Sequence, residues 1–262
     1  MMNFLKNIEF KFKMMLVLTL FCTSTLSISA QEWKWAKTIG KPAGAFGVLG
    51  MSKLSNDEIA ILGYAFDSTI QIENDILDEA ESNTLVFIID KDGNYKKGVR
   101  FGKSENTIPV AITTDHYDNI YVAGNFSSVI YIAGNDSIFN QGNSDGVIVK
   151  MDKDLNILWA KSIATSFEDD INAINIDSEG NVFVAGLTTT EYGNEYNTYE
   201  AFLMKISPDN NLLWKKRGIT NFESKTKSIL IDQEGNSYWT FVCDSIKFED
   251  GESLKSSFEY YS

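Results

Sequence analysis

His116 is the one histidine of the chain, and it is where a search for chemistry starts, because histidine titrates closest to neutral pH. A Ser-His-Asp or Cys-His system must seat it beside a nucleophile, and a histidine-based metal site ordinarily takes two or more. Its setting, Asp115-His-Tyr-Asp-Asn119, reads as an exposed turn instead. Asp90-x-Asp92-x-Asn94 and Asp152-x-Asp154-x-Asn156 place oxygens at alternate positions, as a calcium loop does. Both lack the glycine at position six and the bidentate glutamate at twelve, and Asp and Asn are good turn formers in their own right. The adjacent carboxylates Asp169-Asp170 and Glu249-Asp250 would point apart in an extended chain, which is not the opposed geometry of a glycosidase. No catalytic, cofactor-binding or metal-binding residue is therefore assigned.

Aromatic residues are the remaining candidates. Trp33, Trp35, Trp159, Trp214 and Trp239 could form a stacking platform for sugars, but most recur at a fixed place in a repeat, which points to packing. Tyr192, Tyr196 and Tyr199 sit in a less regular Asn/Thr/Glu-rich insertion and are the residues expected to make a surface contact.

The repeat is what must position all of these. Asp115-His-Tyr-Asp-Asn-Ile-Tyr-Val-Ala-Gly124, Asp177-Ser-Glu-Gly-Asn-Val-Phe-Val-Ala-Gly186 and Asp232-Gln-Glu-Gly-Asn-Ser-Tyr-Trp-Thr-Phe241 are three copies of one block, with a degraded fourth at Asn56 to Gly63. A second block runs Asp90 to Tyr95, Asp152 to Trp159 and Ser207 to Trp214. Each copy of the second block follows an apolar strand and leads into a basic, small-residue one. Both landmarks recur at a period of about 60 residues, the signature of a repeat architecture. Gly and Asn suit the positive φ of tight hairpin turns. Strands such as Val182-Phe-Val-Ala185 are apolar on both faces, as a sheet sandwiched between two others requires.

Four short antiparallel strands per period make the unit of a β-propeller blade. The expected fold is all-β, with blades at about 46–102, 108–165 and 171–220 and an incomplete one at 226–262. That is some 3.5–4 blades, read as part of a larger propeller. Residues 33–39 are expected to be an orphan strand of the kind that closes a ring.

Composition agrees. The chain has 262 residues, 44% hydrophobic and 13% aromatic, ample for a core. A net charge of −13 repels phosphate backbones, so no nucleic-acid partner is expected. Lys6, Lys11 and Lys13 precede a short apolar core from Met14 to Cys22, and Ile28-Ser29-Ala30 precedes Gln31, the pattern of a cleaved signal peptide over residues 1–30. The core is too short to span a bilayer, which needs about 20 residues. Phe21 stands where lipoprotein processing wants a small residue, so Cys22 is not read as a lipid anchor. Cleavage would leave Cys243 as the single thiol, expected to be a small buried hydrophobe.

Asp115 to Gly124, Asp145 to Asp152 and Leu158 to Lys161, with Asp177 to Gly186 and Trp214 to Lys216, resemble the β-propeller repeats of bacterial secreted and cell-surface proteins, many of which are cargo of type IX secretion. The resemblance covers nearly everything after Ala30 and departs at Asn56 to Gly63 and at Thr240-Phe241. It implies a propeller and carries no catalytic residues. The Asn-x-Leu-Trp endings at Trp159 and Trp214 also resemble the tryptophan docking motif of quinoprotein propellers, without a cofactor site. The expected function is an exported, non-enzymatic binding module for an unknown protein or glycan, secreted or at the cell surface. The alternatives are a polysaccharide-active or quinoprotein-type enzyme, or a structural spacer. Loops at 66–84, 125–145 and 187–199 are expected to supply contacts.

Overall fold

Each blade begins where apolar residues alternate between two destinations. The computed structural model describes residues 35–38, 45–78, 82–103, 107–131, 137–192, 197–220, 224–243, 245–251 and 253–255. The expected signal peptide, Tyr196 and the tail from 256 onward lie outside them. Of the expected closing strand, residues 35–38 are described and are not in a strand. A closing strand needs a third strand of blade four to pair with, and residues 257–262, which hold that register, are also outside the described set.

From Lys37 the chain is one compact unit. Blade one comprises β1 (Phe46–Lys53), β2 (Ile59–Ala65), a small hairpin of β3 (Thr69–Ile72) and β4 (Asp75–Asp78), then β5 (Ser82–Ile89) and β6 (Tyr95–Lys103). Blade two comprises β7 (Thr107–Thr114), β8 (Ile120–Phe126), a hairpin of β9 (Val129–Tyr131) and β10 (Ser137–Phe139), then β11 (Asp145–Met151) and β12 (Ile157–Ile163). Blade three comprises β13 (Asp169–Ile176), β14 (Val182–Tyr192), β15 (Asn197–Ile206) and β16 (Leu212–Thr220). Blade four is described as β17 (Lys225–Ile231), β18 (Ser237–Val242) and a hairpin of β19 (Ser245–Phe248) and β20 (Ser253–Lys255). Within blades one to three the four main strands pair antiparallel in sequence order. Among the described residues there is no α-helix.

The alternation of side chains glues blade to blade. In β8, Ile120 and Val122 join the core shared with blade one, while Tyr121 and Ala123 join the core shared with blade three. In β14, Val182 and Val184 face blade two, and Phe183 and Ala185 pack with Ile229 and Trp239 of blade four. Period-two alternation in a strand buried on both sides produces this division. Every close pairing between main strands of different blades uses a first strand: β1 with β7, β7 with β13, β13 with β17. The first strands therefore form the common inner edge of a propeller.

The excursions between second and third strands, expected as loops, are folded. Thr69-Ile-Gln-Ile alternates polar and apolar and pairs with Asp75-Ile-Leu-Asp around Glu73-Asn74, where Glu73 takes a φ of 52°. Ile70 and Ile72 are fully buried on the outer face of blade one, against Leu85 and Phe87. Arg100, 3% exposed, clamps this excursion by donating to the carbonyls of Asp67, Ser68 and Leu77. Further on, an excursion crosses to its neighbour. β19 pairs with β16, so blade three becomes a six-stranded sheet ending in the hairpin of blade four.

Candidate functional site

Five turns share one hydrogen-bonding scheme. In Asp90, Asp115, Asp152, Asp177 and Asp232 one carboxylate oxygen accepts the backbone N–H groups two and four residues on, and the carboxylate accepts the carboxamide of the Asn at the fourth. Ser207 takes the Asp position in a sixth, its Oγ accepting from the Asn211 N–H at 3.1 Å. Positive φ falls on the residue before the Asn in all six: Gly93, Asp118, Leu155, Gly180, Asn210 and Gly235. This is the three-residue hairpin with a type I turn and an αL residue. The closing Asn thus serves as a donor to the Asp rather than as a positive-φ residue. The Asp and Asn side chains at 90, 94, 152 and 156, which resemble calcium ligands in sequence, bond one another within the turns, and the Asn94 Oδ1 also accepts from the Lys37 ammonium.

These turns also join blades. Trp159 donates its indole N–H to the Pro208 carbonyl in blade three at 3.0 Å, Lys150 donates to the same carbonyl at 3.1 Å, and Lys161 reaches the Asn210 carbonyl at 3.3 Å. Trp159 and Trp214 also meet Tyr121 and Phe183 edge to face, at 6.0 and 5.7 Å. Trp239 packs on Phe241 and Phe248. The described tryptophans of the blades are packing residues. His116 is exposed on its turn beside Tyr117. Cys243 is half-buried, just past β18 where the flank faces outward, rather than fully buried. Glu249 pairs with Arg217 at 2.6 Å.

The opposite end of the blades is built differently. There first strands begin, second strands end and the excursions emerge. Each first strand carries a β-bulge at the same place, skipping Leu49, Val110, Asn172 and Lys227. Opposite the bulge in blades one to three lies a glycine, which in blades two and three ends the Ala-Gly motif, whereas blade four has Phe241 there. A Cβ on Gly63, Gly124 or Gly186 would sit 2.9, 2.8 or 1.9 Å from the carbonyl oxygen of Gly47, Ile108 or Asp170. In those three blades close backbone approach leaves no room for a side chain at this position.

Where blades three and four meet at this end there is a cleft of about 260 Å³. Glu168, Asp170 and Asn172 come from β13 and its approach, Leu187 and Thr189 from β14, Tyr199 from β15, and Ser224 and Lys225 from the start of β17. Asp169 points away from it. That residue is 1% exposed and accepts from Thr165 and from the Thr188 hydroxyl. Asp170 accepts from the Ser144 hydroxyl at 3.2 Å, and burial pushes its carboxyl above the ordinary range, with Ser144 and Lys225 opposing. The Asn172 Oδ1 is buried and has no hydrogen-bond partner among the described residues. Of the three tyrosines singled out in the sequence, Tyr199 lines the cleft, the backbone of Tyr192 ends β14, and Tyr196 lies outside the described residues. Asp170, Asn172 and Lys225 were missed because they come from two blades. The signal was present, since Asp170 and Lys225 hold the same register as apolar Ile108.

Four-stranded antiparallel blades packed around their first strands make this chain a β-propeller repeat protein. No protein-family model matches it. Over 165 residues, 49% of this chain, it is 28% identical to the "Uncharacterized WD repeat-containing protein L264" of Acanthamoeba polyphaga mimivirus. The matched stretch spans 12% of that protein's length. WD repeats are themselves four-stranded propeller blades, so the likeness agrees with the fold. Among the described residues no helix is long and apolar enough to cross a membrane.

Proposed function

We propose that this chain is an exported, non-enzymatic β-propeller binding module, secreted or held at the cell surface, of the kind found in bacterial secreted propeller-repeat proteins. The observation that carries the reading is the asymmetry of the blade ends. One end holds six near-identical turns whose polar groups are bonded to one another and to the next blade. The other end varies from blade to blade and holds the cleft. A scaffold fixed at one end and variable at the other suits recognition, because binding residues concentrate on variable segments over rigid supports. Residues 1–30 support export by composition. Lys225 and Asp170 face one another across two blades and also suit polar contact.

The test has two parts. The mature protein from the medium or envelope of its host is sequenced from the N-terminus, with Gln31 expected first. The purified chain is then screened against defined glycans and defined surface proteins, beside a Tyr199→Ala/Lys225→Glu double variant. Binding that the double variant loses supports the module. A chain that binds neither class is a spacer, and one that turns over polysaccharide or reduces a dye with a quinone present is an enzyme. Either result overturns the proposal.

A further inference from the structure

We infer that the cleft between blades three and four takes a neutral, hydroxyl-rich ligand, a single pyranose ring at the end or along the chain of a glycan. The inference rests on the binding-module reading above and names the ligand class for that site. Three observations lead to it.

The first is charge. Glu168 and Asp170 line the cleft with Lys225 beside them. Two carboxylates against one ammonium leave the lining net negative, which repels a phosphate or sulfate, and among the described residues no group of three or more His, Cys, Asp or Glu gathers to hold a metal ion. A ligand whose groups both donate and accept meets all three, and hydroxyl groups do so without carrying charge into the site.

The second is an unmet acceptor. The buried Asn172 Oδ1 has no partner among the described residues, and its residue lines the cleft. A buried polar atom left unbonded is costly by about 1–3 kcal/mol and rare in native structures. Asn172 is the bulge residue of β13, and bulges re-aim side chains next to functional sites. The same bulge carries Leu49 in blade one, Val110 in blade two and Lys227 in blade four, so a carboxamide stands at it in blade three alone among the described blades.

The third is size and shape. At about 260 Å³ the cleft is smaller than the roughly 300–1,000 Å³ of sites for drug-sized ligands. One ring fits it better than an extended chain. Tyr199 and Leu187 supply an aromatic and an aliphatic wall beside the polar groups, the pairing that a sugar's apolar face and hydroxyl edge require.

The experiment titrates the full chain with methyl pyranosides of glucose, galactose, mannose and N-acetylglucosamine, and with polysaccharides built from them, followed by calorimetry and ligand-observed NMR. Inorganic phosphate and calcium chloride are titrated in parallel. At least one pyranoside is expected to bind. Asn172→Leu and, separately, Asp170→Asn are expected to weaken it at least tenfold, while Tyr117→Ala, on the opposite end, leaves it unchanged. Melting curves identify the variants that remain folded, and Lys225→Ala replaces either one that does not. Binding of the methyl glycosides alone identifies a free sugar as the source, and stronger binding of the polymer identifies a glycan chain. The inference is overturned if no pyranoside or polysaccharide binds, if phosphate or calcium binds in their place, or if sugar binding survives both cleft variants. A surface protein that binds the excursion end with no sugar bound sinks this inference alone and leaves the binding-module reading standing.

Discussion

The Asn125 carboxamide pairs with both backbone groups of Ile171. Its Oδ1 accepts the Ile171 N–H at 2.8 Å and its Nδ2 donates to the Ile171 carbonyl at 3.2 Å. A side chain of β8 in blade two thus imitates one rung of a ladder to β13 in blade three. Replacing Asn125 by Leu keeps the size and leaves two backbone groups unbonded in a largely buried place. Chemical denaturation is expected to show a loss of about 2–4 kcal/mol. A loss under 0.5 kcal/mol would mean that water replaces the amide at no penalty.

Trp159 and Trp214 occupy equivalent places in the repeat but differ in what lies beyond. Trp159 bonds the Pro208 carbonyl of the following blade, whereas Trp214 is 36% exposed. Trp159→Phe is expected to destabilise by about 1–3 kcal/mol, from a lost hydrogen bond and lost buried area. Trp214→Phe should lower stability by under half as much. Equal losses would show that the inter-blade bond contributes nothing.

Leu155 inverts an ordinary ranking. It holds a φ of 69° in the left-handed region yet is only 7% exposed, packed in the core between blades one and two. Leu155→Ala loses the packing and keeps the strained backbone. Leu155→Gly loses slightly more packing but relieves strain of about 1–2 kcal/mol. The glycine variant is therefore expected to melt higher than the alanine variant, although glycine ordinarily ranks below alanine in structured segments. The reverse order would show that the left-handed turn carries no strain.

Two groups of carboxylates give stability opposite dependences on pH. For Asp177, burial acts upward, but the Asn181 carboxamide, Lys205 and the Asn181 backbone N–H outweigh it and hold the carboxyl below its ordinary range. The Lys205 ammonium lies 2.9 Å away. A depressed folded value means stability that is present above the unfolded pKa of about 3.9 and lost as pH falls through the folded value. For Asp145, burial pushes the carboxyl up, against the Gln141 N–H, and Asp169 adds to the rise. Its Oδ1 is buried without a hydrogen-bond partner among the described residues. That group penalises the fold when ionised, and the penalty is relieved as pH falls through its raised value. Asp145→Asn is expected to raise the melting temperature at pH 7 and to gain less on moving toward pH 5 than the parent. Asp177→Asn is expected to lower stability at pH 7 and to flatten the acid loss below pH 4. A parallel shift of all three curves would refute both assignments.

Gly186 tests the bulge. A Cβ there would lie 1.9 Å from the Asp170 carbonyl oxygen and 2.7 Å from the Phe202 ring. Gly186→Ala is expected to destabilise by about 2–4 kcal/mol as β13 is pushed away, with Gly180→Ala, at φ 82° in a turn, losing only about 1 kcal/mol. Pushing β13 away at this point also moves Asp170, so sugar affinity should fall with stability in the first variant and not in the second.

The parts of this molecule written in local sequence were the readable ones. Asp177 to Asn181 announces its turn because the carboxylate, the amides and the left-handed glycine that build it lie within five residues. Val182 to Ala185 announces a doubly buried strand by having no polar alternate. Parts that depend on a partner far along the chain were silent. The union of β19 with β16 is carried mainly by backbone groups, which leave no mark in composition. The cleft needs Asp170 and Lys225 to arrive at one place from different blades, and a bulge at Asn172 shifts the register by a residue that pattern counting cannot see. The excursions looked irregular because their strands are three or four residues long, too short for periodicity to declare itself.

When β19 joins β16, Gly218, Ile219 and Thr220 are matched to Phe248, Lys247 and Ile246 along the backbone, with the Arg217–Glu249 ion pair beside them. Such a seam, made largely of backbone rungs, asks little of the side chains beyond it. The tip beyond it can therefore drift under selection without loosening the join, which gives a chain of repeats a cheap supply of new surfaces. The same seam ties the opening of the fourth repeat to damage in the third. Amide exchange should report the two as a single protected block, and a pulling force would have to shear three rungs before either could peel away.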